Sequence, residues 1–288
     1  MKSRAGVSPA RRKLNMTVKG FKDGWIAVDA GADPRHYIRL ADIARGGCED
    51  DRSQYRNLFE TLGPFEGEHV LDVGCGTGGA VRALAANFPG VERVVGIDLS
   101  ETMLAEARAR TGAGTAAAVE FVPGDAHALP FPDDSFDAAF SLRVFEIIGE
   151  PRRALGEMAR VLRPGGRLLI NGPDMDAWAI DSSDRAVTRK VLHHAADVET
   201  NGWVGRQLPA WCKELGLTDV RVTPVGVPVT QFGALYEICL RAFVENAAAA
   251  GTLTAEEAAR WVEDLHERDR RGHFFCSQTF FRVCARKK

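Results

Sequence analysis

The sequence of 288 residues has no apolar run long enough to span a membrane or to act as a secretion signal. Its six cysteines form neither a C-x-x-C pair nor a metal-ligand spacing, so we expect no metal site and no disulfide framework. Free thiols are typical of a reducing compartment, which favours a cytoplasmic protein. The formal net charge of -2 gives no reason to expect a nucleic-acid partner, and we expect no membrane partner either.

Acidic side chains are missing from the first twenty residues, which are rich in Lys and Arg. Such a stretch is typical of a solvated, disordered tail, and we predict one over residues 1–20. A nucleic-acid-binding arm is the minority alternative, because no aromatic residues are interleaved with the basic ones.

The most informative feature is a short apolar run that breaks into a glycine-rich turn, VLDVGCGTGG over residues 70–79. The run predicts a buried parallel strand, and the glycines let the backbone turn sharply into a helix and let a ligand approach the main chain. Gly74, Gly76 and Gly79 also satisfy the G-x-G-x-x-G spacing of dinucleotide-binding enzymes. The glycines alone therefore do not choose the ligand.

Acidic residues stand at the ends of three consecutive predicted strands. Asp72 lies just before the glycine turn, where it would repel a pyrophosphate but favour the sulfonium and ammonium groups of S-adenosylmethionine (SAM). Asp98 ends the run VVGIDLS at the spacing expected of a carboxylate that accepts hydrogen bonds from ribose hydroxyls. Asp125 in FVPGDA is suited to the exocyclic amine of adenine. Together the three acids favour SAM over NAD.

Five blocks, VLDVGCGTGG, VVGIDLS, FVPGDA, FDAAFSLRVFEII and RVLRPGGRLLI, stand in an order that resembles the class I SAM-dependent methyltransferases. The chain is most similar to the branch of ubiquinone-biosynthesis-like and natural-product enzymes, tightly over residues 68–171. The resemblance implies an α/β, Rossmann-like fold with a seven-stranded, mostly parallel sheet whose last strand is antiparallel. It also implies transfer of a methyl group to an O, N or C atom of a small organic molecule, in specialised or cofactor metabolism, with S-adenosylhomocysteine (SAH) as product.

Two other functions compete with this interpretation. One is a SAM-binding protein that transfers no methyl group, such as a cyclase or a regulatory partner. The other is a protein or nucleic-acid methyltransferase. The near-neutral charge and the lack of an N-P-P-Y-like tetrapeptide after the fourth strand argue against a nucleic-acid substrate. Against a protein substrate stands only the apolar character of the added segments.

The expected cofactor site combines these blocks with two helical positions. Tyr37 is expected at the methionine end of the cofactor, and Met103 lies either against the adenine or in the core. The resemblance assigns backbone carbonyls after the fourth strand to the cofactor's ammonium. Ile147 occupies the position where the family often has a histidine, so a general base must come from elsewhere. The full expected set is Tyr37, Asp72, Gly74, Cys75, Gly76, Asp98, Leu99, Met103, Asp125, Ala126, Ser141, Leu142 and Arg143.

The segment after the fifth strand is expected to form the acceptor site, because open α/β sheets bind ligands at this edge. If 184–198 is helical, His194 falls on its apolar stripe and His193 points away, which makes His194 the candidate base; a core histidine is the competing interpretation. Arg206 either grips a substrate carboxylate or caps the next helix. The expected substrate-pocket residues are Phe145, Asp174, Trp178, His193, Trp203, Arg206 and Phe275.

The predicted organisation is a tail over 1–20, an N-terminal helical cap over 21–66 and a methyltransferase domain over 67–288. Two additions, about 172–206 and 232–273, are expected to cover the acceptor site. The second is predicted to be helical, with Thr254 and Glu257 in a capping box. A lid, a dimer interface and padding are the alternatives for it, and the chain is expected to be a monomer or a homodimer.

Overall fold

The computed structural model describes residues 25, 27–30, 33–44, 52–112, 117–198 and 200–288. The predicted basic tail lies outside these residues. In the part of the chain that is described, no helix is both long and apolar enough to cross a membrane. The same part holds no group of three or more His, Cys, Asp or Glu side chains placed to bind a metal ion.

An eight-stranded sheet forms the centre of the described residues. Strands β1 to β5 run parallel in the order β3-β2-β1-β4-β5, and β8 is antiparallel to β5, β6 and β7. The strands are β1 His69–Val73, β2 Arg93–Asp98, β3 Ala118–Pro123, β4 Phe136–Leu142, β5 Leu162–Pro173, β6 Ala179–Ile180, β7 Thr218–Val229 and β8 Cys276–Arg286. The predicted, mostly parallel sheet with an antiparallel last strand is confirmed. The two-residue β6 is additional, since so short a strand has no periodicity to read.

Helices cover both faces of the sheet. They are α1 Pro34–Ala44, α2 Arg52–Glu60, α3 Gly79–Asn87, α4 Glu101–Arg110, α5 Pro151–Val161, α6 Arg185–Val198, α7 Val204–Glu214, α8 Phe232–Leu235, α9 Arg241–Ala249 and α10 Ala255–Arg270. Alternate strand residues face opposite sides. Val70 packs with α2, α3 and α4, whereas Leu71 packs with α5 and α7. Burial on both faces explains why the central strands are almost entirely apolar.

The N-terminal segment is attached to both ends of α4. Asp29 accepts hydrogen bonds from the Ser100 hydroxyl at 2.7 Å and from the Glu101 backbone N–H at 2.8 Å. It therefore caps the first turn of α4, where a carboxylate is favoured by the helix dipole. Near the other end, Arg110 forms an ion pair with Asp42 of α1 at 2.7 Å. These contacts hold the segment beside the carboxyl end of β2.

The residues between β7 and β8 are helical, as predicted. A π-helical turn, Tyr236–Leu240, joins α8 to α9, and the Thr254–Glu257 capping box begins α10. Trp261 of α10 is buried and donates its indole N–H to the Thr188 hydroxyl of α6 at 2.9 Å. The residues between β7 and β8, called the insertion below, thereby form a third apolar core with α6, separate from the two on the sheet faces.

Candidate active site

The glycine turn joins β1 to α3 and has an unusual backbone. Gly74, Gly76 and Gly78 have φ values of 78°, 53° and 74°, in the left-handed region that favours glycine. A Cβ on Gly74 would lie 2.3 Å from a methyl group of Val144, which follows β4. The turn therefore requires glycine both for its conformation and for the close approach of the next loop.

Asp98 is fixed against this turn. Its Oδ2 accepts the Gly76 backbone N–H at 2.8 Å, and its Oδ1 accepts the Ser100 backbone N–H at 2.9 Å. Burial raises the pKa of Asp98 above its ordinary value, and the nearby Asp29 carboxylate adds to the rise. Each carboxylate oxygen still has lone pairs for a further donor. Asp72, one strand away, is almost fully buried at the end of β1.

Leu99 and Asp125 are the residues expected to contact adenine, and they follow β2 and β3 respectively. The Leu99 side chain is 60% exposed, which is unusual for a leucine directly after a buried strand. Asp125 accepts the His127 backbone N–H at 2.9 Å and contacts the His127 ring at 2.6 Å. The His127 backbone N–H and ring hold the pKa of Asp125 below its ordinary value. Ala126 follows as a half-buried residue.

Comparison with known proteins agrees with this geometry. The family described as "Methyltransferase domain" matches residues 71–170. A 37.1 kDa protein in transposon TN4556 of Streptomyces fradiae is 37% identical, over 81% of this chain and 67% of that one. The ubiquinone/menaquinone biosynthesis C-methyltransferase UbiE of Paracoccus denitrificans is 41% identical, over 46% of this chain and 53% of its own length. The chain belongs to the class I SAM-dependent methyltransferases.

Two further matches show how much of the chain is similar to other proteins. O-methyltransferase cnsE of Penicillium expansum is 43% identical, over 40% of this chain and 41% of that one. The chain thus covers about half or less of the length of these two named enzymes, UbiE and cnsE. The YcgJ protein of Bacillus subtilis has the same fold, with a TM-score of 0.58 at 20% identity over 82% of this chain and 99% of that one.

The residues present fit SAM, which is the cofactor of this family. The buried Asp72 carboxylate suits a cation rather than a phosphate. Asp98 retains acceptor capacity for ribose hydroxyls, and the exposed Leu99 offers an apolar surface to adenine. Cys75 is buried, and its sulfur lies where a Cβ on Gly96 would clash, so it fills space beside the turn.

The end of β4 approaches the same turn. Ser141 is buried and donates its hydroxyl to the Val73 carbonyl at 2.8 Å, which joins β4 to β1. Leu142 is half-buried, and Arg143 follows with φ 61° while donating its backbone N–H to the Asn171 carbonyl at 3.0 Å. A non-glycine residue in the left-handed region is strained and is often found at functional sites.

Tyr37 and Met103 meet in the N-terminal segment. Met103 is 3% exposed and packs in a cluster with Val28 and Ile38, and Tyr37 packs against that cluster. The Tyr37 ring also meets the Trp25 ring edge-on at 5.3 Å. Burial explains Met103 as a contact between α4 and the N-terminal segment, and its contact with adenine stays a prediction.

Four of the expected pocket residues make contacts within the protein that support the fold. Phe145 is 1% exposed in the core beneath α5 and α7. Asp174 is fully buried and forms a bidentate ion pair with Arg206. The guanidinium of Arg206 also stacks on Trp203, 4.9 Å from its ring centroid. Since Asp174 and Trp203 already hold Arg206, the structure gives it neither a free carboxylate grip nor a capping role.

An open groove of about 520 Å³ contains other expected pocket residues. Trp178, His193 and Phe275 line it, and the Trp178 indole N–H is buried without a hydrogen-bond partner. Two arginines of α6, Arg185 and Arg189, complete one wall. We call this feature the Trp178 groove. It begins a few residues beyond β5, at the edge of the sheet where α/β folds bind ligands.

The two histidines of α6 face the directions that the helical stripe predicts, with His194 half-buried towards the insertion and His193 exposed. His193 lines the Trp178 groove, whereas the His194 ring is hydrogen-bonded to Thr252 of the insertion, with 3.1 Å between Nδ1 and Oγ1. The buried side of α6 packs on the insertion. The apolar stripe in the sequence predicts a buried face, but it does not tell whether that face meets another protein segment or a ligand. A catalytic role for His194 stays a prediction.

Glu146 was not among the expected site residues. It is 6% exposed in the loop between β4 and α5, and its Oε2 has no hydrogen-bond partner. The available sequence signal was a single acid inside the otherwise apolar run VFEII, shortly after the predicted fourth strand.

Proposed function

We propose that this methyltransferase transfers the methyl group of SAM to an O, N or C atom of a small organic acceptor, in specialised or cofactor metabolism. The observation that carries the proposal is the set of three carboxylates, Asp72, Asp98 and Asp125, at the carboxyl ends of adjacent strands around the glycine turn. The named relatives UbiE and cnsE are C- and O-methyltransferases, which supports a small acceptor.

The Trp178 groove is the proposed acceptor site. Its volume suits a small molecule, and Trp178 with the 46% exposed Phe275 gives it aromatic walls. The expected ligand is therefore flat and partly apolar, with a hydrogen-bond acceptor for the orphaned Trp178 indole N–H.

Charges in the groove favour an acceptor that carries a negative group. Asp181 is paired with Arg268 at 2.6 Å, and Asp176 lies 3.7 Å from Arg206. Arg185 and Arg189 have no ion-pair partner among the described residues. The acids are thus neutralised within the protein, whereas two arginines remain to attract a carboxylate or a phenolate.

The bound cofactor supplies an electrophilic methyl group on a sulfonium. The protein's contribution is to hold the acceptor atom in line with that methyl group and to exclude water. The N-terminal segment and the helical insertion are proposed to cover the site, since α1 packs on both α4 and the π-helical turn. The five described cysteines are free thiols, which supports a cytoplasmic protein. The chain is proposed to act as a monomer or homodimer.

Methyl transfer tests the proposal directly. The purified full chain is incubated with SAM labelled on its methyl group and with hydroxybenzoate, catechol and 1,4-naphthohydroquinone as acceptors. Label is expected in at least one product, and Arg189→Gln is expected to raise KM for hydroxybenzoate about tenfold with little change in kcat. Arg260→Gln, exposed on α10, is the matched control. SAH binding without transfer to any acceptor would instead support a SAM-binding protein that is not a methyltransferase.

A further inference from the structure

The carboxyl group of Glu146 has no structural task that accounts for its burial. Its Oε2 is shielded from solvent and has no hydrogen-bond partner, while the adjacent Phe145 side chain packs in the core. An unpaired buried carboxyl oxygen costs stability and is expected to be replaced by an apolar group unless it has another role.

The loop that carries Glu146 is held in place from two sides. Val144 packs directly against Gly74 of the glycine turn. The Asn201 side-chain amide donates to the carbonyl oxygens of Phe145 at 2.8 Å and of Ile148 at 2.7 Å. Glu146 is thus fixed in a loop that touches the cofactor turn. Its carboxyl group accepts a hydrogen bond from its own backbone N–H, while Oε2 has no partner.

Two neighbours of this loop also have orphaned polar atoms. Asn171, whose carbonyl accepts the Arg143 backbone N–H, has a buried Oδ1 without a partner. Thr200, next to Asn201, has a buried hydroxyl without a partner. Orphaned polar side chains on this loop and beside its hydrogen-bonded neighbours are groups that a polar ligand at this end of β4 and β5 would satisfy.

We propose that Glu146 is the general base that accepts the proton of the methyl acceptor. The acceptor's O, N or C atom forms a bond to the methyl carbon, and the methyl–sulfur bond breaks with its electron pair left on sulfur. The proton on the acceptor atom passes to Glu146 Oε2. The inference rests on the proposed function and adds the residue that completes its proton balance.

The acid–base properties of the side chain suit this role. Burial raises the pKa of Glu146 to about 7, against the opposing effect of the Arg143 charge. Arg143 is the charged side chain that acts on Glu146 among the described residues. A base that titrates near neutral pH combines an available ionised form with enough basicity to take a proton.

Infrared difference spectroscopy tests the carboxyl group without any acceptor. The wild-type spectrum minus that of Glu146→Gln is expected to contain the C=O band of a protonated carboxyl that disappears as pH rises through neutrality. The midpoint is expected to shift when SAH is added, because the loop contacts the cofactor turn. Glu150 has an exposed side chain in the same loop, so Glu150→Gln is the matched control. The wild-type spectrum minus that of Glu150→Gln is expected to lack this band. Absence of the band, or a midpoint unmoved by SAH, overturns the inference.

Kinetics separate this inference from the proposed function. With an acceptor that the wild type methylates, Glu146→Gln is expected to lower kcat about 10²- to 10⁴-fold and to remove the neutral ionisation from the pH profile. Below the Glu146 midpoint, where the wild-type carboxyl is protonated and the amide mimics it, SAH affinity is expected to match the wild type. Glu146→Asp is expected to recover part of kcat. Turnover within twofold of wild type in Glu146→Gln overturns the role of Glu146 and leaves methyl transfer standing. A wild type that neither binds SAH nor transfers methyl overturns the proposed function. The infrared titration without SAH still decides separately whether the Glu146 carboxyl is protonated below neutral pH and ionised above it.

Discussion

Gly76 donates its backbone N–H to Oδ2 of Asp98 at 2.8 Å, which joins the glycine turn after β1 to the carboxyl end of β2. The single hydrogen bond closes the turn and also orients the carboxylate. Because the other oxygen of Asp98 is held by Ser100, the side chain has one fixed direction. A preorganised acceptor of this kind binds a ligand hydroxyl without first losing conformational freedom.

Replacing Asp98 by Asn is expected to weaken SAH binding at least tenfold, because an amide offers one acceptor oxygen where the carboxylate offers two. At a hundredfold excess over its dissociation constant, SAH is expected to stabilise the wild type by about 2.7 kcal/mol. Calorimetric titration and thermal unfolding measure both effects, with NAD as the comparison ligand. Asp133→Asn, on an exposed side chain, is expected to match the wild type. Equal SAH affinity in Asp98→Asn would remove this carboxylate from the cofactor site.

Gly74→Ala is expected to destabilise the fold by about 3 kcal/mol. The added Cβ meets Val144 at 2.3 Å, and φ of 78° disfavours any side chain. Urea unfolding gives the free energy, with Gly149→Ala as control because a Cβ there meets no atom within 4 Å. The double change with Val144→Ala is expected to recover part of the loss. A Gly74→Ala protein as stable as the control would mean that the loop after β4 does not pack on the turn.

The sheet and the cofactor end of the site were predictable from the sequence. Strands of a buried parallel sheet are continuous apolar runs in the sequence. A glycine turn next to an acid at a strand end is also visible within a few residues, because the turn requires glycine for its backbone conformation. Asp72, Asp98 and Asp125 were therefore predicted as cofactor residues from their positions at strand ends and their charge, and their contacts with SAM stay a prediction. Which side chains lie near the proposed acceptor groove depends on tertiary packing between distant segments, and the sequence carries no comparable local signal for it.

His194 and Arg206 illustrate what spacing could not predict. An apolar helical stripe looks the same in the sequence whether it packs on another protein segment or on a ligand. In this protein the stripe of α6 packs on the insertion. Arg206 is held by Asp174, 32 residues earlier in the chain, and such long-range pairing leaves no periodic trace. Glu146 stands next to Ile147, and a lone acid in an apolar run does not by itself report whether its carboxyl group is buried.

Arg206→Gln is expected to lower stability by about 2 kcal/mol while leaving SAH affinity unchanged. The change leaves the fully buried Asp174 carboxylate without its charged partner, although the partial exposure of Arg206 reduces the loss below that of a fully buried pair. Chemical denaturation gives the free energy of unfolding. Arg152→Gln, which breaks an exposed pair with Glu214, is expected to cost less than about 1 kcal/mol. Equal losses in the two variants would contradict the structural role of Arg206.

The pH dependence of stability is expected to differ between the wild type and Glu146→Gln. The pKa of Glu146 rises from 4.5 to about 7 on folding, so between these values the folded chain binds a proton that the unfolded chain releases. Stability of the wild type relative to the variant therefore falls as pH rises through this window, by up to about 3 kcal/mol. Urea unfolding at acidic and at mildly alkaline pH measures the difference. A difference that stays constant with pH would show that burial does not shift this carboxyl.

The most direct test of a methyl-transfer site at this sheet edge is a crystal structure of the protein with bound SAH. The account predicts the ribose hydroxyls on Asp98, the adenine against Leu99, and the sulfur directed towards the loop that carries Arg143 and Glu146. SAH bound away from the glycine turn, or with its sulfur directed away from that loop, would contradict it.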